Sequence, residues 1–168
     1  MRATEILMEE HRVIERVLDA LEAGAGKLAA GDAMRPQFFI DAAGFVKGFA
    51  DGCHHRKEEG VLFPAMEAAG VPRQGGPIGV MLAEHEEGRR LTQGMRAAAE
   101  KLAVGEIAWR ADVIKNARAY VALLRQHISK EDGVLFPMAD RVISAARQAK
   151  VTEEFDRVEH EETGAGVH

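Results

Sequence analysis

The sequence predicts an all-α protein, an up-down-up-down four-helix bundle with a short C-terminal helical extension. Four long segments place apolar residues at alternating spacings of three and four, which traces one face of a helix. No stretch alternates as a strand does, and only 5% of the 168 residues are aromatic. Short loops join the segments, and four apolar stripes are buried most simply in a bundle.

The first half of the chain predicts two long helices. The first runs from Thr4 to about Ala30 and carries His11 inside its apolar stripe. The second begins at Pro36, because proline suits the first turn of a helix, and runs to about Gly60. The run Leu62-Phe63-Pro64 is expected to interrupt it, since proline lacks an N–H donor and disfavours helical geometry in the preceding residue.

The second half repeats this plan after a loop at residues 70–77. A third helix is predicted from about Ile78 to Ala103 and a fourth from about Ile107 to Asp132, where a second Leu-Phe-Pro run stops it. We expect residues 1–140 to form the bundle. Residues 141–168 would add to the same domain a helical stretch at 141–150, a helix capped by Thr152 and a loose tail.

Composition excludes several classes of function. A net charge of −5 and a pI near 5.8 provide no basic surface for nucleic acid. No window approaches the roughly 20 apolar residues of a membrane span. The lone cysteine, Cys53, excludes an internal disulfide framework, and no leader pattern opens the chain. We therefore expect a cytoplasmic protein that binds neither nucleic acid nor membrane; no feature predicts its oligomeric state.

An internal repeat carries the candidate chemistry. HHRKEEGVLFP begins at His54 and HISKEDGVLFP begins at His127. Each half also places one histidine on its first helix, and each second helix carries a histidine followed four positions later by a glutamate, which share a helix face. The candidate metal ligands are His11, His54, Glu58, His85, His127 and Glu131.

Six converging donors suggest two metal ions in the bundle core. If the two carboxylates and one oxo or hydroxo group bridge the ions, about one coordination position on each ion stays open. Mixed imidazole and carboxylate donors suit iron best, with manganese and zinc as alternatives. Two divalent ions would also neutralise the two buried carboxylates, so metal binding should stabilise the fold.

These motifs resemble the hemerythrin family, specifically its bacterial HHE cation-binding branch, over roughly residues 5 to 140. The resemblance implies two non-haem iron ions in a four-helix bundle that binds dioxygen or related small oxidants, with the six residues as ligands and the glutamates bridging. Oxygen carriers of this family place a second histidine on the third helix where this chain has Arg89. Water, Glu15 or a tail residue could fill that position.

Several residues keep alternative interpretations. Asp132 competes with Glu131 as a ligand, but the repeat aligns Glu131 with Glu58. His55 aligns with Ile128, which predicts a surface or supporting role for it. Glu10 and Glu84 could orient imidazoles, although we expect them to face water. Four further expectations are a core position for Tyr120, with a hydrogen bond to a bound oxidant as the alternative, inert packing for Cys53, and solvent exposure for His160 and His168.

The leading functional hypothesis is a di-iron protein that binds or senses dioxygen, nitric oxide or peroxide, with peroxide consumption as an associated activity. It follows from the six donors and from the lost histidine at Arg89. The first alternative is an iron-dependent regulatory or iron-handling protein without catalysis. The second, a zinc or manganese hydrolase, is disfavoured because a site enclosed by four helices admits only small molecules.

Overall fold

The computed structural model describes residues 1–163 of the chain and the side chains of residues 1–161, so the predicted loose tail and His168 lie outside it. The described chain is helical and has no strand, which confirms the predicted all-α class. The α-helices are α1 Ala3–Ala29, α2 Pro36–Phe45, α3 Phe63–Ala68, α4 Pro77–Ala103, α5 Arg110–Lys130, α6 Phe136–Val142 and α7 Ala145–Thr163.

The two longest helices end where the sequence provides a glycine. Gly31 follows α1 with φ of 81°, and Gly105 follows α4 with φ of 93°. This left-handed conformation costs little without a Cβ atom, and it lets the chain turn away from the last helical carbonyls. Both helices therefore stop close to their predicted ends.

The two Leu-Phe-Pro runs do not interrupt their helices, contrary to the prediction. The chain passes from α2 to α3 through π-helical segments at Val46–His55 and Glu58–Leu62, and from α5 to α6 through a third at Glu131–Leu135. Each proline stands in the first turn of the following α-helix. The stretch stays helical across each proline, since the residue before Pro64 still donates its N–H to the Glu58 carbonyl, and only the N–H that proline lacks is missing from the backbone hydrogen bonds.

The end of the chain is also simpler than predicted, since one helix, α7, replaces the two expected. Thr152 does not cap a helix; its hydroxyl donates to the Gln148 carbonyl at 3.1 Å. Instead, the Ser144 hydroxyl accepts a hydrogen bond from the Arg147 N–H at 3.3 Å and caps the start of α7. An unbroken buried stripe of Val151, Phe155 and Val158 keeps the segment in one helix.

The core consists of two apolar clusters with a polar layer between them. α4 packs against α5 and α2, and α1 packs against α5. One cluster contains Ile14 and the other contains Leu7 and Phe155, so α7 packs into the second cluster. His11 lies between Leu7 and Ile14 on α1 and is buried. The candidate ligands thus lie at a depth that both clusters shield from water.

Within residues 1–163, none of the helices combines the length and the apolar character that a bilayer crossing requires.

Candidate metal centre

The structure brings all six predicted ligands together in two buried groups. The first group contains His11, His54, Glu58 and Glu131, and the second contains His55, Glu58, His85 and His127. Within each group, one candidate ligand atom from every residue lies within 4.8 Å of the others. Glu58 belongs to both groups.

The two glutamates lie between the groups. Glu58 Oε1 is 3.0 Å from His54 Nε2 and its Oε2 is 3.1 Å from His85 Nε2. Glu131 Oε1 is 3.3 Å from His11 Nε2 and 2.9 Å from His127 Nε2. Each carboxylate therefore faces one histidine of each group, the arrangement that a bridging carboxylate needs.

Many of these inward-facing atoms have no properly angled hydrogen-bond partner among the described residues. They are both carboxylate oxygens of Glu58 and Glu131 and the Nε2 atoms of His11, His54 and His55. Both carboxylates are completely buried. Buried polar atoms nearly always find partners, so a cluster of orphaned atoms needs a cause. The Nε2 atoms of His85 and His127 lie 3.1 Å apart, the one such contact among these inward-facing nitrogens in the described residues. Buried imidazole and carboxylate donors that converge and lack other partners fit metal ions.

Each histidine of the two groups is oriented by a carboxylate at its other ring nitrogen. The Nδ1 donors and their acceptors are His11 to Asp132 at 2.7 Å, His54 to Glu10 at 3.0 Å, His55 to Asp51 at 3.4 Å, His85 to Glu59 at 3.1 Å and His127 to Glu84 at 3.1 Å. A proton held at Nδ1 leaves Nε2 with a lone pair directed inward. This carboxylate-histidine pairing is usual around protein-bound metals.

The expectation that Glu10 and Glu84 face water is wrong. Glu10 is 8% exposed and accepts from His54, and the carboxylate of Glu84 accepts from His127. Each glutamate reaches the histidine on the neighbouring helix and not the histidine beside it in sequence. A residue next to an inward-facing one lies at the edge of the buried face of its helix. From there a long side chain can turn into the space between two helices.

Each of these two glutamates also pairs with a lysine. Lys57 Nζ lies 2.7 Å from Glu10 Oε2, and Lys130 Nζ lies 2.5 Å from Glu84 Oε2. Lys57 is completely buried, and it also contacts Glu159 of α7 at 2.5 Å. A buried ammonium depends on such pairing. A continuous polar path therefore joins His54 to α7.

His55 is the site residue that the sequence argument missed. It is 5% exposed, and its ring stacks on that of His85 with 3.8 Å between centroids. Both His54 and His55 face inward because they lie in the π segment Val46–His55, where more residues per turn leave consecutive side chains closer in direction. The adjacent pair of histidines was the available signal, and the alignment of His55 with Ile128 in the repeat led us to expect a surface or supporting role instead.

The secondary candidates lie around the two groups. Glu15 pairs with the exposed Arg12 at the surface, and Asp132 accepts from His11 and contacts Arg12. Arg89 Nε donates to Asp51 at 2.7 Å and its Nη2 donates to Glu59 at 2.5 Å.

The sequence predicted no direct part in the site for Tyr120, Cys53 or His160. Tyr120 is buried in the first apolar cluster, and its hydroxyl has no hydrogen-bond partner among the described residues. Cys53 is buried, and burial raises the pKa of its thiol to about 11, which fits inert packing. His160 is exposed as expected.

The buried carboxylates control protonation of the imidazoles. Burial is the largest single influence and lowers the pKa of each histidine, but the charges and hydrogen bonds of several carboxylates together outweigh it. Glu58 and Glu10 raise the pKa of His54 to about 10, and Glu58 and Glu59 raise that of His85 to about 9. At His55, burial and the neighbouring charge on His85 lower the pKa to about 3. In spite of burial, His54 holds the pKa of Glu58 well below its usual value. Without metal, therefore, imidazolium groups balance the buried carboxylate.

Comparisons with known proteins agree with this site. The family profile described as Hemerythrin HHE cation binding domain matches residues 2–139. An uncharacterized protein of Mycobacterium tuberculosis is 30% identical over 162 residues, which cover 96% of this chain and 63% of that protein. The iron-sulfur cluster repair protein YtfE of Salmonella newport is 36% identical over 90 residues, 51% of this chain and 40% of YtfE. The chain spans less than two thirds of the length of these relatives. It belongs to the hemerythrin HHE cation-binding family.

Proposed function

We propose that this chain is a non-haem di-iron protein that binds or senses dioxygen, nitric oxide or peroxide, with peroxide consumption as an associated activity. The observation that carries the proposal is the pair of buried imidazole and carboxylate groups that share Glu58. The fold would be the expected up-down-up-down bundle of four helices, to which α7 adds. The six predicted ligands would hold two iron ions, and an oxo or hydroxo group would bridge them.

The charge of the donor set favours divalent or trivalent ions. Glu58 and Glu131 are 0% exposed, and two carboxylates in a medium of low dielectric need positive charge close by. The orphaned oxygens and Nε2 atoms provide the donors that iron accepts. Two iron ions held there would supply redox electrons and coordination positions for a small oxidant.

His55 would occupy the position that Arg89 leaves. The oxygen carriers of the family have a histidine on the third helix where this chain has Arg89. Here the third imidazole of the second group comes instead from the preceding helix. His55 is neutral because its pKa is lowered to about 3, and a neutral imidazole is the form that coordinates. This assignment replaces water, Glu15 and the tail as the source of the missing ligand.

Arg89 would support the second group without touching an ion. Its guanidinium bonds both Asp51 and Glu59, and these two carboxylates accept from His55 and His85. One planar cation thus fixes the carboxylates behind two imidazoles. Replacement of the carrier histidine by arginine therefore changes how the second group is held, and it does not simply remove a ligand.

The direct test is metal content together with a spectrum. Protein purified without added metal should contain close to two irons per chain, and peroxide or dioxygen added to the anaerobically reduced protein should change the near-ultraviolet absorption. Glu58→Gln should lose both signals because Glu58 serves both groups, whereas Glu15→Gln at the surface should keep them. Zinc as the bound metal, or an unchanged spectrum in iron-loaded protein, would refute the proposal.

His55→Ala tests the assignment of the seventh ligand. Loss of its imidazole should weaken binding of one iron by at least about tenfold, while the other iron stays bound. Removal of a group that only supports a ligand already costs about tenfold, so loss of a ligand should cost at least as much. His160→Ala, which removes an exposed imidazole, is the matched control. Iron titrations followed by absorption distinguish the cases, and equal affinities in both variants would show that His55 is not a ligand.

Metal binding should also release protons. His54 and His85, with pKa values raised to about 10 and about 9, are imidazolium at pH 7 without metal, and a ligand must be neutral. We expect at least about two protons per chain to be released at pH 7, one from each imidazolium, and roughly one or two more where water supplies the hydroxo or oxo bridge; apparent affinity should rise with pH until these groups are already deprotonated. An indicator dye in weakly buffered solution measures the release; no release at pH 7 would contradict this account.

A second candidate function is iron-dependent regulation or iron handling without catalysis. The observation that favours it is the buried path from His54 through Glu10 and Lys57 to Glu159 of α7. Metal at His54 would displace its imidazolium charge and so change the field at Glu10. One relative, YtfE, is named an iron-sulfur cluster repair protein, which is consistent with a role in handling iron.

Limited proteolysis tests this second function. If α7 reports metal occupancy, iron should slow cleavage of α7, and Lys57→Met should abolish that difference because the path is cut. Arg56→Met, which removes an exposed partner of Glu161 from the same α7, serves as the control. Equal digestion of iron-loaded and iron-free protein would show that α7 is a fixed part of the scaffold.

A further inference from the structure

A cavity of about 130 Å³ leads from the protein surface to the second group. Lys47 and Gln93 line it and are exposed, whereas His55, His85 and Tyr120 line it and are at most 5% exposed. The cavity is therefore open to solvent at one end and closed by two imidazole rings and the tyrosine at the other. We call it the lateral cavity.

The two arginines of the lining are neutralised by carboxylates. Arg89 pairs with Asp51 at 2.7 Å, and Arg96 pairs with Glu100 at 3.4 Å. The lateral cavity therefore restricts its occupants by size more than by charge. Molecules as small as peroxide, dioxygen, nitric oxide or azide fit that restriction.

The second ion would have no free position at the inner end of this cavity. The second group supplies the three imidazoles of His55, His85 and His127. With both glutamates and one oxo or hydroxo group as bridges, three imidazoles complete the coordination of an octahedral ion. A small molecule that arrives through the lateral cavity can therefore bind this ion only if a ligand leaves it.

His55 is the least firmly held of the five imidazoles. Its Nδ1 lies 3.4 Å from Asp51 Oδ1, whereas the other four Nδ1 atoms lie 2.7 to 3.1 Å from their carboxylates. A hydrogen bond of such length is weak, and the same Asp51 oxygen accepts a bond of 2.7 Å from Arg89 Nε. Ile128 stands at the corresponding place in the repeat, so the other half builds its group without this imidazole. Loss of His55 therefore disturbs the site less than loss of any other ligand.

Tyr120 offers a displaced His55 a partner. Tyr120 lines the same cavity, and its buried hydroxyl has no hydrogen-bond partner among the described residues, which is costly. A neutral imidazole with its proton on Nδ1 can accept at Nε2 from that hydroxyl. Space is also available: a cavity of roughly 150 Å³ holds benzene, the lateral cavity has about 130 Å³, and an imidazole is a smaller ring than benzene.

We propose that His55 is a displaceable ligand, and that the small molecule which replaces it on the second ion enters through the lateral cavity. The exchange breaks the bond between the ion and His55 Nε2 and forms one bond to the incoming molecule, without transfer of electrons. His55 keeps its Nδ1 proton, turns towards Tyr120 and accepts a hydrogen bond from the tyrosine hydroxyl. The inference rests on the proposed function only in that it needs a metal ion in the second group.

Cobalt(II) and azide test the proposal without redox chemistry. In the cobalt-loaded full chain, the Nδ1 protons of the five coordinated imidazoles should give five shifted proton NMR signals, because a carboxylate holds each of them. Saturating azide should remove one signal, and it should be the one that His55→Ala lacks at saturating cobalt. Azide that binds and leaves all five signals in place would overturn the proposal, as would loss of the signal of another histidine.

Two variants test the partner and the route. Tyr120→Phe should weaken azide binding by about two- to tenfold, the range of one hydrogen bond, while cobalt affinity without azide stays unchanged. Val46→Phe should fill the lateral cavity and slow azide uptake several-fold, whereas Val104→Phe, at an exposed position outside the lining, should not. Circular dichroism checks that each variant is folded. Unchanged azide affinity in Tyr120→Phe, or unchanged uptake in a folded Val46→Phe variant, would overturn the proposal.

The same experiment separates this inference from the proposed function. A chain that binds no metal at the second group would overturn both. A chain that binds cobalt there and takes up no azide at millimolar concentration would overturn the displacement of His55 alone, because iron content and the absorption of iron-loaded protein test the proposed function independently.

Discussion

Burial of two carboxylates is the constraint on which the structure depends. Glu58 and Glu131 are fully buried between two apolar clusters, where a charge without a partner would be very unfavourable. The surrounding groups alternate in sign outward from them. Imidazoles come first, then the carboxylates on their Nδ1 atoms, and then the cations Arg12, Lys57, Arg89 and Lys130. Charge at the centre is thereby compensated in steps out to the solvent.

The internal repeat explains why this arrangement is nearly symmetric. Glu10 and Lys57 in the first half correspond to Glu84 and Lys130 in the second, and each lysine pairs with its own glutamate. The phenylalanines of the two Leu-Phe-Pro runs also correspond, and each contacts a histidine of the other half: Phe63 stacks on His85, and Phe136 stacks on His11. The repeated apolar ending thus covers the imidazole of the opposite half, which gives it a physical role at the site.

The sequence was sufficient for the helical class and for the convergence of the six candidate residues, because their spacing and the apolar periodicity both follow from local helix geometry. It was insufficient where a longer-range contact decides the outcome. Whether Glu10 faces water depends on His54 of the neighbouring helix. Whether Pro64 ends a helix depends on the π segment before it, and whether His55 faces inward depends on the same departure from α-helical geometry. Rules based on residue propensity predict neither the contact between helices nor the change to π-helical geometry.

The departures from symmetry are concentrated on the second group. Ile128 stands where the first half has His55, so an extra imidazole enters this group alone. Arg89 then ties together the carboxylates behind His55 and His85, and a cavity of about 130 Å³ lies beside these same two rings. A duplicated scaffold that keeps one half regular and alters the other can hold two similar ions in different surroundings. The difference in surroundings, rather than the number of ligands, is therefore what would distinguish the two positions chemically.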